Sequence, residues 1–478
     1  MKERIKTILL FSLVGMSLFL TQKLWIQLPG RVVESLDTSD AYSTSYALSD
    51  MIAPNKYILN FGNKNHTLFY GDSKYHLWED SKSILTQVLG SESVTTEEIT
   101  KEQYLNFKEE RSLVFYFPEE INTVLLAKTW DVKDPNIIAD TIPNIDEVYV
   151  YLGTSDPFFV FSDKNQFVVV YENNINTSLL KKEFAKIEQS NNYDNYYSMR
   201  EVYDIENDIY MPYNMETSLP TVYVSNEIAT LDDNEKMEVA NRFFNEDINY
   251  IREIVESNGS TIYLYDKKSL KLNINGTLEY FHALQDKVPE SNLYISLSTA
   301  AEFIMEKASS YEGMYLSSIQ DIESDGNFGY RLTYKYRIRG IPVLLGNREF
   351  GDYIQIDVFN NHIRSYKLLT RREMELDLDN VINNRNILSS YDVLDKNYEF
   401  LVKEYLTYNN IIIDSIDGYL EDETLRDEIL SSIEDVSLAY YDPNLKDKSE
   451  KLIGVWIVSI NEKIYAFNVY SGNLVFER

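Results

Sequence analysis

Residues 356–363 (IDVFNNHI) and residues 467–474 (FNVYSGNL) carry the same pattern at two places in the C-terminal part of the chain. Each stretch has an apolar residue, Asp or Asn, Val and an aromatic residue. A polar turn containing Asn or Gly follows, and then an apolar residue. Turn residues between apolar runs predict a β-hairpin. The recurrence of the pattern predicts an internal structural repeat.

A helix is predicted before each of these hairpins, at residues 299–309 and 392–406. Residues 330–339 alternate apolar with polar side chains, which is typical of a strand that buries one face. Residues 453–460 and 463–470 predict a hairpin that turns through Asn461-Glu462. We therefore predict two successive units, residues 289–372 and 373–478, each a helix followed by an antiparallel meander. This arrangement resembles the PepSY-like unit of bacterial cell-envelope proteins.

The middle of the chain mixes strands and helices at irregular spacing, which favours an α+β fold with antiparallel sheets over a doubly wound one. Strands are predicted at residues 57–61, 67–70, 112–117 (ended by Pro118), 147–152, 158–161 and 167–171. Helical character is predicted at residues 81–89 and 232–256, and a hairpin at 261–272. We assign an N-terminal α+β domain to residues 56–155 and a central one to residues 156–288.

The amino terminus predicts a transmembrane helix. Residues 1–6 are rich in basic side chains, and residues 7–28 are apolar apart from Lys23 and a few uncharged polar residues. A helix of that length spans about 33 Å, enough for the hydrocarbon core of a bilayer. The positive flank predicts a cytoplasmic tail at residues 1–6 and an extracytoplasmic location for all that follows. Residues 29–55 then act as a tether, rich in Ser, Thr and Asp.

A cleaved signal peptide is the alternative interpretation of this segment, because its uninterrupted apolar run is short. However, residues 20–25 (LTQKLW) contain no small residues at the spacing a signal peptidase requires. The chain has no cysteine, so a lipoprotein signal is excluded. We therefore expect a single-pass cell-membrane protein.

Composition excludes several classes of function. The formal net charge of −31 argues against nucleic-acid binding, which needs a basic surface. The absence of cysteine excludes disulfides, zinc–thiolate sites and cysteine nucleophiles. It also fits an extracytoplasmic protein of a Gram-positive bacterium.

No catalytic constellation or cofactor motif is recognisable. The four histidines are scattered along the chain at His66, His76, His282 and His362. Residues 321–326 (DIESDG) imitate the start of a calcium loop, but the bidentate Glu that such a loop needs is missing. We expect no catalytic residue, metal or cofactor, and we interpret residues 321–326 as an acidic loop.

One cationic feature stands out against the acidic composition. Arg331, Lys335, Arg337 and Arg339 fall on one face of the predicted strand at residues 330–339, with no acid between them. One interpretation is an edge or exposed strand that uses charge to resist aggregation. The other is a docking patch for an acidic partner surface.

The whole chain resembles the YycH family of Gram-positive regulatory proteins. The strongest local match is a double Phe with an amide at residues 243–245 (FFN), followed by Arg252, Ile254 and Glu256. Next come a Gly-led hairpin at residues 259–272 and the stretch 276–280 (GTLEY). A second match is residues 50–54 (DMIAP), where the family usually has Arg in place of Ala53. The anchor ending in Leu24-Trp25 also fits.

The resemblance implies a non-enzymatic accessory protein of an essential two-component system that controls cell-wall homeostasis. Its implied partners are a sensor histidine kinase of the YycG or WalK type and a YycI-like single-pass protein. Contact would run through transmembrane helices and extracytoplasmic domains. Leu10, Phe11, Leu13 and Phe19 are the candidate contact residues of the anchor, and the alternative is that they only face lipid.

Two other functions remain open from the sequence. An envelope inhibitor or chaperone of a peptidase would share the PepSY-like units. A cell-wall hydrolase or spore-cortex protein would need a catalytic carboxylate or histidine site, which we do not recognise.

Overall fold

The computed structural model describes residues 48–71, 75–212, 215, 219–244, 250–308, 313–346, 351–374, 386–411, 415–444 and 448–478. The predicted anchor at residues 7–28, and with it Leu10, Phe11, Leu13 and Phe19, lies outside these residues. None of the helices in the described ranges has the length and apolar character needed to cross a bilayer.

The first sheet is built from nine antiparallel strands in the order β3-β7-β6-β5-β4-β1-β2-β8-β9. Its strands are β1 (Lys56–Gly62), β2 (Asn65–Phe69), β3 (Thr95–Ile99), β4 (Ser112–Asn122), β5 (Asn144–Tyr151), β6 (Phe158–Ser162), β7 (Phe167–Tyr171), β8 (Tyr196–Ser198) and β9 (Tyr210–Pro212). The helices of this region are α1 (Leu77–Gly90), α2 (Lys101–Phe107), α3 (Thr123–Thr129), α4 (Ile138–Thr141), α5 (Ser178–Ser190) and α6 (Met199–Tyr203).

Strand β4 is longer than its sequence predicts. We expected Pro118 to end it, but the strand continues to Asn122. The pairing of β4 with β5 shifts between Tyr116 and Ile121. Pro118 therefore lies in an irregularity of the ladder, where its missing N–H leaves no partner strand unsatisfied.

The remaining strands form a small sheet and a large one. They are β10 (Tyr223–Asn226), β11 (Arg252–Val255), β12 (Thr261–Tyr265), β13 (Lys268–Leu272), β14 (Thr277–His282), β15 (Met314–Ser324), β16 (Asn327–Ile338), β17 (Ile341–Leu345), β18 (Ile354–Phe359), β19 (His362–Leu369), β20 (Arg371–Glu373), β21 (Ile433–Asp442), β22 (Ser449–Lys451), β23 (Ile453–Ile460), β24 (Lys463–Asn468) and β25 (Leu474–Glu477). The small sheet has the order β20-β10-β22. The large sheet has the order β11-β12-β13-β14-β19-β18-β16-β17-β21-β23-β24-β25, and β15 pairs with β16.

The helices of this second region are α7 (Glu227–Thr230), α8 (Asp233–Phe244), α9 (Leu293–Lys307), α10 (Ser390–Lys396), α11 (Tyr398–Tyr408), α12 (Asp417–Leu420) and α13 (Glu423–Ser431). The predicted helix at residues 392–406 is divided between α10 and α11. The α+β class and its antiparallel sheets agree with the prediction.

The predicted helical region at residues 232–256 is wrong in its second half. Helix α8 ends at Phe244, and Arg252–Val255 is strand β11, paired with β12. The helical spacing of apolar residues continues through Ile248 in the sequence, so this pattern does not reveal the change. β-branched Ile254 and Val255 favour the pleated conformation that pairing with β12 stabilises.

The two sequence patterns at residues 356–363 and 467–474 both form a strand, a turn and a returning strand. Helix α9 precedes the antiparallel series β15, β16, β18 and β19. Helices α10 to α13 precede the corresponding series β21, β23, β24 and β25. Strand β17 joins the two series, because it pairs antiparallel with β16 and parallel with β21.

The acidic stretch at residues 321–326 is a hairpin rather than a loop. Asp321 and Glu323 lie within β15 and pair with residues of β16. Asp325 and Gly326 have φ of 54° and 74°. Positive φ at both central residues is the requirement of a two-residue type I′ turn, for which Asp-Gly is a preferred sequence.

Gly329 provides a test of the packing between β16 and β18. A Cβ atom at this position would lie 2.4 Å from the carbonyl oxygen of Val358 and 2.7 Å from the Phe359 ring. Gly329→Ala should therefore destabilise the fold by about 1–3 kcal/mol, because backbone atoms must move. Chemical denaturation measures the difference.

Gly418→Ala is the matched control, because nothing lies within 4 Å of a Cβ at this helical position. Its effect should stay within about 1 kcal/mol and be stabilising, as helix propensity favours Ala. Equal denaturation midpoints for the two variants would contradict the close packing at Gly329.

Candidate functional site

The four cationic residues of the predicted stripe lie at the centre of the large sheet. Strand β16 pairs with β15, β17 and β18, so it is not an edge strand. The interpretation of the charges as protection for an edge is therefore wrong.

Arg331 forms a two-point ion pair across the sheet. Its Nε and Nη2 donate to the two carboxylate oxygens of Asp357, at 2.7 and 2.9 Å. This hydrogen bonding raises the pKa of the Arg331 guanidinium. The Arg331 side chain remains 37% exposed, so one side of it still faces solvent.

Arg337 joins the large sheet to the start of the first sheet. Its guanidinium lies over the Tyr315 ring, 4.0 Å from the centroid. Its Nη2 donates to the carbonyl oxygen of Pro54 at 2.8 Å. Pro54 belongs to the stretch at residues 50–54 that carries part of the family resemblance.

Lys335 lies in a desolvated position on the same strand. Burial lowers the pKa of its ammonium group, while the negative charges of Asp352 and Asp435 oppose that shift. Burial likewise raises the pKa of Asp352. Arg339 lies in the turn after β16, with φ of 53°, and its Nε donates to Glu373 at 2.7 Å.

The stripe is therefore not a uniform cationic patch. Arg331 and Arg339 keep about a third of their side chains exposed, and each is paired with an acid. Arg337 instead holds the segment at Pro54, and Lys335 is desolvated. The alternation of the strand predicted a shared face, but it could not predict which groups lie against that face.

The contacts of Arg337 belong to a larger connection, which we call the N-terminal junction. Lys56 forms an ion pair with Asp435 of β21 at 3.1 Å. The N–H of Leu438 donates to the Tyr70 hydroxyl at 2.9 Å. Buried Asn207 donates to the carbonyl oxygens of Leu430 and Ile433, at 3.0 and 2.8 Å.

These contacts fix the first described segment of the chain against the C-terminal series of strands. Sequence reasoning missed the junction because its partners are hundreds of residues apart, as for Lys56 and Asp435. Nothing local in the sequence distinguishes Asn207 or Tyr70 from other polar and aromatic residues.

A second connection, the Arg371 cluster, consists of Arg371, Asp442, Asn444 and Glu450. The side chains of Arg371 and Asp442 are fully buried, and that of Glu450 is 2% exposed. Arg371 Nε donates to Asp442 at 3.0 Å, and Nη2 donates to Asn444 at 2.7 Å. Nη2 also lies 3.2 Å from Glu450 Oε1.

The Arg371 cluster lies where the small sheet meets both series of strands. Arg371 begins β20, Glu450 is the central residue of β22, and Asp442 ends β21. Strand β10 lies between β20 and β22, with Val224 opposite both Glu373 and Glu450. The cluster thus connects Arg371 of β20 with β21, the turn after it and β22.

A third buried polar group, the Lys108 cluster, stabilises the first sheet. Lys108 Nζ lies 2.9 Å from Glu147, 2.8 Å from Asp208 and 2.9 Å from the Tyr116 hydroxyl. Burial opposes the charge on Lys108, but Asp208 and Glu147 raise the pKa of its ammonium group well above the usual value.

Two of the four histidines come together in the fold. The rings of His282 and His362 lie 4.5 Å apart between centroids, on neighbouring strands β14 and β19. Nothing in the local sequence around either histidine predicts this pairing. Within the described ranges, no group of three or more His, Asp or Glu side chains is arranged to hold a metal ion.

Two of these polar groups, the N-terminal junction and the Arg371 cluster, connect different sheets. The Lys108 cluster instead connects elements of the first sheet region. Such groups fix the relative arrangement of strands, because breaking one pair leaves a buried charge without compensation.

No protein-family model matches the sequence, and no curated protein matches it. Among solved structures, an uncharacterized protein from Eubacterium rectale ATCC 33656 is similar with a TM-score of 0.35 and 13% identity, covering 56% of this chain and 90% of that chain. The C-terminal domain of Bacillus megaterium YpeB is similar with a TM-score of 0.25 and 10% identity, covering 52% and 97% respectively. These TM-scores are below those of proteins that share one fold.

Arg371→Met tests the Arg371 cluster, because it keeps the volume of the side chain and removes the charge. Asp442 then loses its buried guanidinium partner, so we expect a destabilisation of about 3–5 kcal/mol. Arg331→Met is the matched control, since its ion pair with Asp357 is partly exposed and should contribute about 1 kcal/mol or less. Equal losses in chemical denaturation would contradict this ranking.

His66 predicts a pH dependence of stability. Burial lowers the pKa of His66 from its usual 6.5 to about 4. Between these values the unfolded chain binds the proton and the folded chain does not, so stability falls as the pH is lowered from 6.5 to 4. The loss is on the order of 3 kcal/mol for this shift.

His66→Gln should remove this contribution, so the stability of the variant and of the parent protein should diverge with pH between 4 and 6.5. The comparison is made on the difference between the two proteins, because other groups titrate in the same range. Burial raises the pKa of Asp146 to about 6, which acts in the opposite direction. Parallel pH curves for the two proteins would contradict the prediction.

Proposed function

We propose that this chain is a non-enzymatic, membrane-anchored regulator of a sensor histidine kinase in a two-component system that controls cell-wall homeostasis. In this proposal residues 7–28 cross the cytoplasmic membrane once, with the amino terminus in the cytoplasm. The remainder is extracytoplasmic. The partners are a kinase of the YycG or WalK type and a YycI-like single-pass protein, and no cofactor takes part.

The N-terminal junction is the structural observation that best supports this mechanism. Pro54 and Lys56 contact Arg337 and Asp435 of the C-terminal strands. The end of the proposed tether at Pro54, and Lys56 just after it, are thus held by the folded body. A change in the position of the body would be passed to the tether, and from there to the anchor.

Regulation of this kind needs no chemical step. When a kinase exchanges between two conformations, a partner that packs better against one of them increases the population of that conformation. Only the difference between the two affinities counts, and about 1.4 kcal/mol shifts the ratio tenfold. Leu10, Phe11, Leu13 and Phe19 are the proposed contact residues within the membrane.

Outside the membrane, the exposed parts of Arg331 and Arg339 are the proposed docking groups for an acidic surface. Both guanidiniums already have a carboxylate partner, Asp357 and Glu373. An incoming acid would therefore add to an existing ion pair. Lys335 and Arg337 contribute instead to the internal arrangement of the same strand.

An inhibitor or chaperone of an envelope peptidase is the second candidate. It is favoured by the two helix-then-meander series, α9 to β19 and α10 to β25, which match the order of PepSY-like units proposed from the sequence. Recovery of a peptidase with the full chain from membranes, together with altered peptidase activity, would favour it over the kinase.

Site-specific photo-crosslinking tests the proposed membrane contacts. A photoreactive residue is introduced in turn at positions 10, 11, 13 and 19 of the full chain in membranes that contain the kinase. We expect the kinase to be recovered from positions that share one helix face, because contacting helices bury one stripe of each surface. Glu98, on exposed strand β3, is the control position.

Replacement of residues 7–28 by an unrelated single-pass helix tests function directly. Kinase autophosphorylation in reconstituted vesicles is measured with the parent chain and with the replacement. We expect the effect of the parent chain to be lost while the folded body stays intact. If the parent chain leaves kinase autophosphorylation unchanged and no anchor position crosslinks to the kinase, the regulatory proposal is wrong. An effect that persists with the replaced helix would contradict the membrane contacts alone.

A further inference from the structure

Strand β11 is unusual because both of its faces are exposed. All four of its residues, Arg252–Val255, lie on the surface. Tyr250 and Val255, 73% and 67% exposed, are the most exposed large apolar side chains in the described part of the chain. The side chain of Ile254 is also exposed, at 36%. A strand normally buries one face, so apolar residues left open on both sides indicate a surface that a partner covers.

The strand is also the terminal one of the large sheet. It pairs with β12 on one side and with no described strand on the other. The N–H of Glu256 donates to Ser260, so Glu256, Ile254 and Arg252 direct their backbone groups towards β12. By the alternation of the ladder, the N–H and C=O groups of Glu253 and Val255 point away from the sheet. They form an open edge onto which a further strand can be added.

The side chains along one face of this edge are self-complementary. Arg252, Ile254 and Glu256 follow one another on the same face, as a positive, an apolar and a negative residue. Two copies related by a twofold axis through Ile254 would place Ile254 opposite Ile254. The same axis would place each Arg252 opposite the Glu256 of the other copy. Directly opposed residues of antiparallel strands share a face, so the side chains of each opposed pair lie on the same side of the joined sheet.

The two registers shifted towards the amino terminus of the strand lack this complementarity. A twofold axis at residue 253 would oppose two Glu253 carboxylates, and one at residue 252 would oppose two Arg252 guanidiniums. Like charges directly opposite each other destabilise a strand pair. The charges thus select the register centred on Ile254 over both of these.

Arg252 is available for such a contact, because it forms no ion pair with any described residue of its own chain. Glu256 forms an ion pair with Lys271 at 3.0 Å, and its side chain is still 32% exposed. A second guanidinium could therefore reach its carboxylate. These residues also belong to the stretch that carries the family resemblance, in which Phe243 and Phe244 are buried whereas Arg252 and Ile254 are exposed.

We propose that β11 pairs with β11 of a second copy of this chain, antiparallel and centred on Ile254. The large sheets of the two copies then become one continuous sheet. Glu253 and Val255 of each copy exchange backbone hydrogen bonds with Val255 and Glu253 of the other. Two Arg252–Glu256 pairs flank the central Ile254 contact, and the association covers Val255.

Disulfide trapping tests the register, because the natural chain has no cysteine to interfere. Ile254→Cys in the full chain, in membranes under a mild oxidant, should give a disulfide-linked dimer. The opposed residues at 254 form a non-hydrogen-bonded pair, whose short separation suits a disulfide. Arg252→Cys alone should not form a dimer. Differently tagged copies carrying Arg252→Cys and Glu256→Cys should crosslink to each other.

Tyr408→Cys is the control for random collision, because Tyr408 is 53% exposed on a different element. A dimer from this variant at the same rate as from Ile254→Cys would overturn the proposal. So would an Ile254→Cys variant that stays monomeric, or one that is captured only by a different protein.

A charge exchange provides an independent test that leaves the backbone unchanged. In a homodimer of Arg252→Glu, two Glu–Glu pairs would oppose each other between positions 252 and 256. In a homodimer of Glu256→Lys, two Arg–Lys pairs would do so. The self-association constant of each variant alone should fall about tenfold or more, as measured by sedimentation of the full chain in detergent. Mixed together, the two variants should associate again, because every opposed pair is then of opposite charge.

Restoration in the mixture cannot come from misfolded chains, so loss and recovery together separate the interface from a folding defect. Unchanged self-association of both single variants would overturn the proposal. Loss without recovery in the mixture would overturn the register centred on Ile254.

Discussion

The buried guanidinium of Arg371 is the interaction on which the arrangement of the C-terminal half depends. A charge without access to water is tolerated only where opposite charges and acceptors surround it. Asp442, Asn444 and Glu450 supply these groups from the end of β21, the following turn and β22. Arg371 begins β20 directly after β19 of the first series, whereas Asp442 ends β21 of the second. The ion cluster therefore fixes one relative placement of the two series.

The N-terminal junction connects the first sheet to the large sheet through directional polar contacts. Arg337 reaches Pro54 from the middle of the large sheet, and Asn207 satisfies two carbonyl groups at the end of α13 and the start of β21. These contacts are directional, so they specify an orientation that apolar packing alone leaves less defined. The proposed regulator requires a body whose parts move together, and these contacts support that proposal.

The charged residues at the centre of the large sheet and those at its β11 end have different surroundings. At its centre, the charges of β16 meet acids and backbone groups of the same chain. At its end, Arg252 and Glu256 of the β11 region stay available beside exposed Ile254 and Val255. An edge strand with charges of both signs resists indiscriminate pairing and still accepts a strand with the matching order of charges. Proposed contacts in the membrane and at β11 are compatible, since they use separate parts of the chain.

The sequence by itself determined the α+β class, most strands of the first sheet, about half of the strands in the second region and the two hairpin patterns near Val358 and Val469. These features rest on local periodicity and turn chemistry, which a single sequence carries. Local pattern failed where a helix-like run passed into β11, and it could not recognise that Pro118 lies in a ladder irregularity. Tertiary structure alone decided the partners of Arg337 and Arg371, the pairing of His282 with His362 and the open edge at β11. Each of these depends on residues far apart in the chain, and their proximity is created only when the sheets assemble.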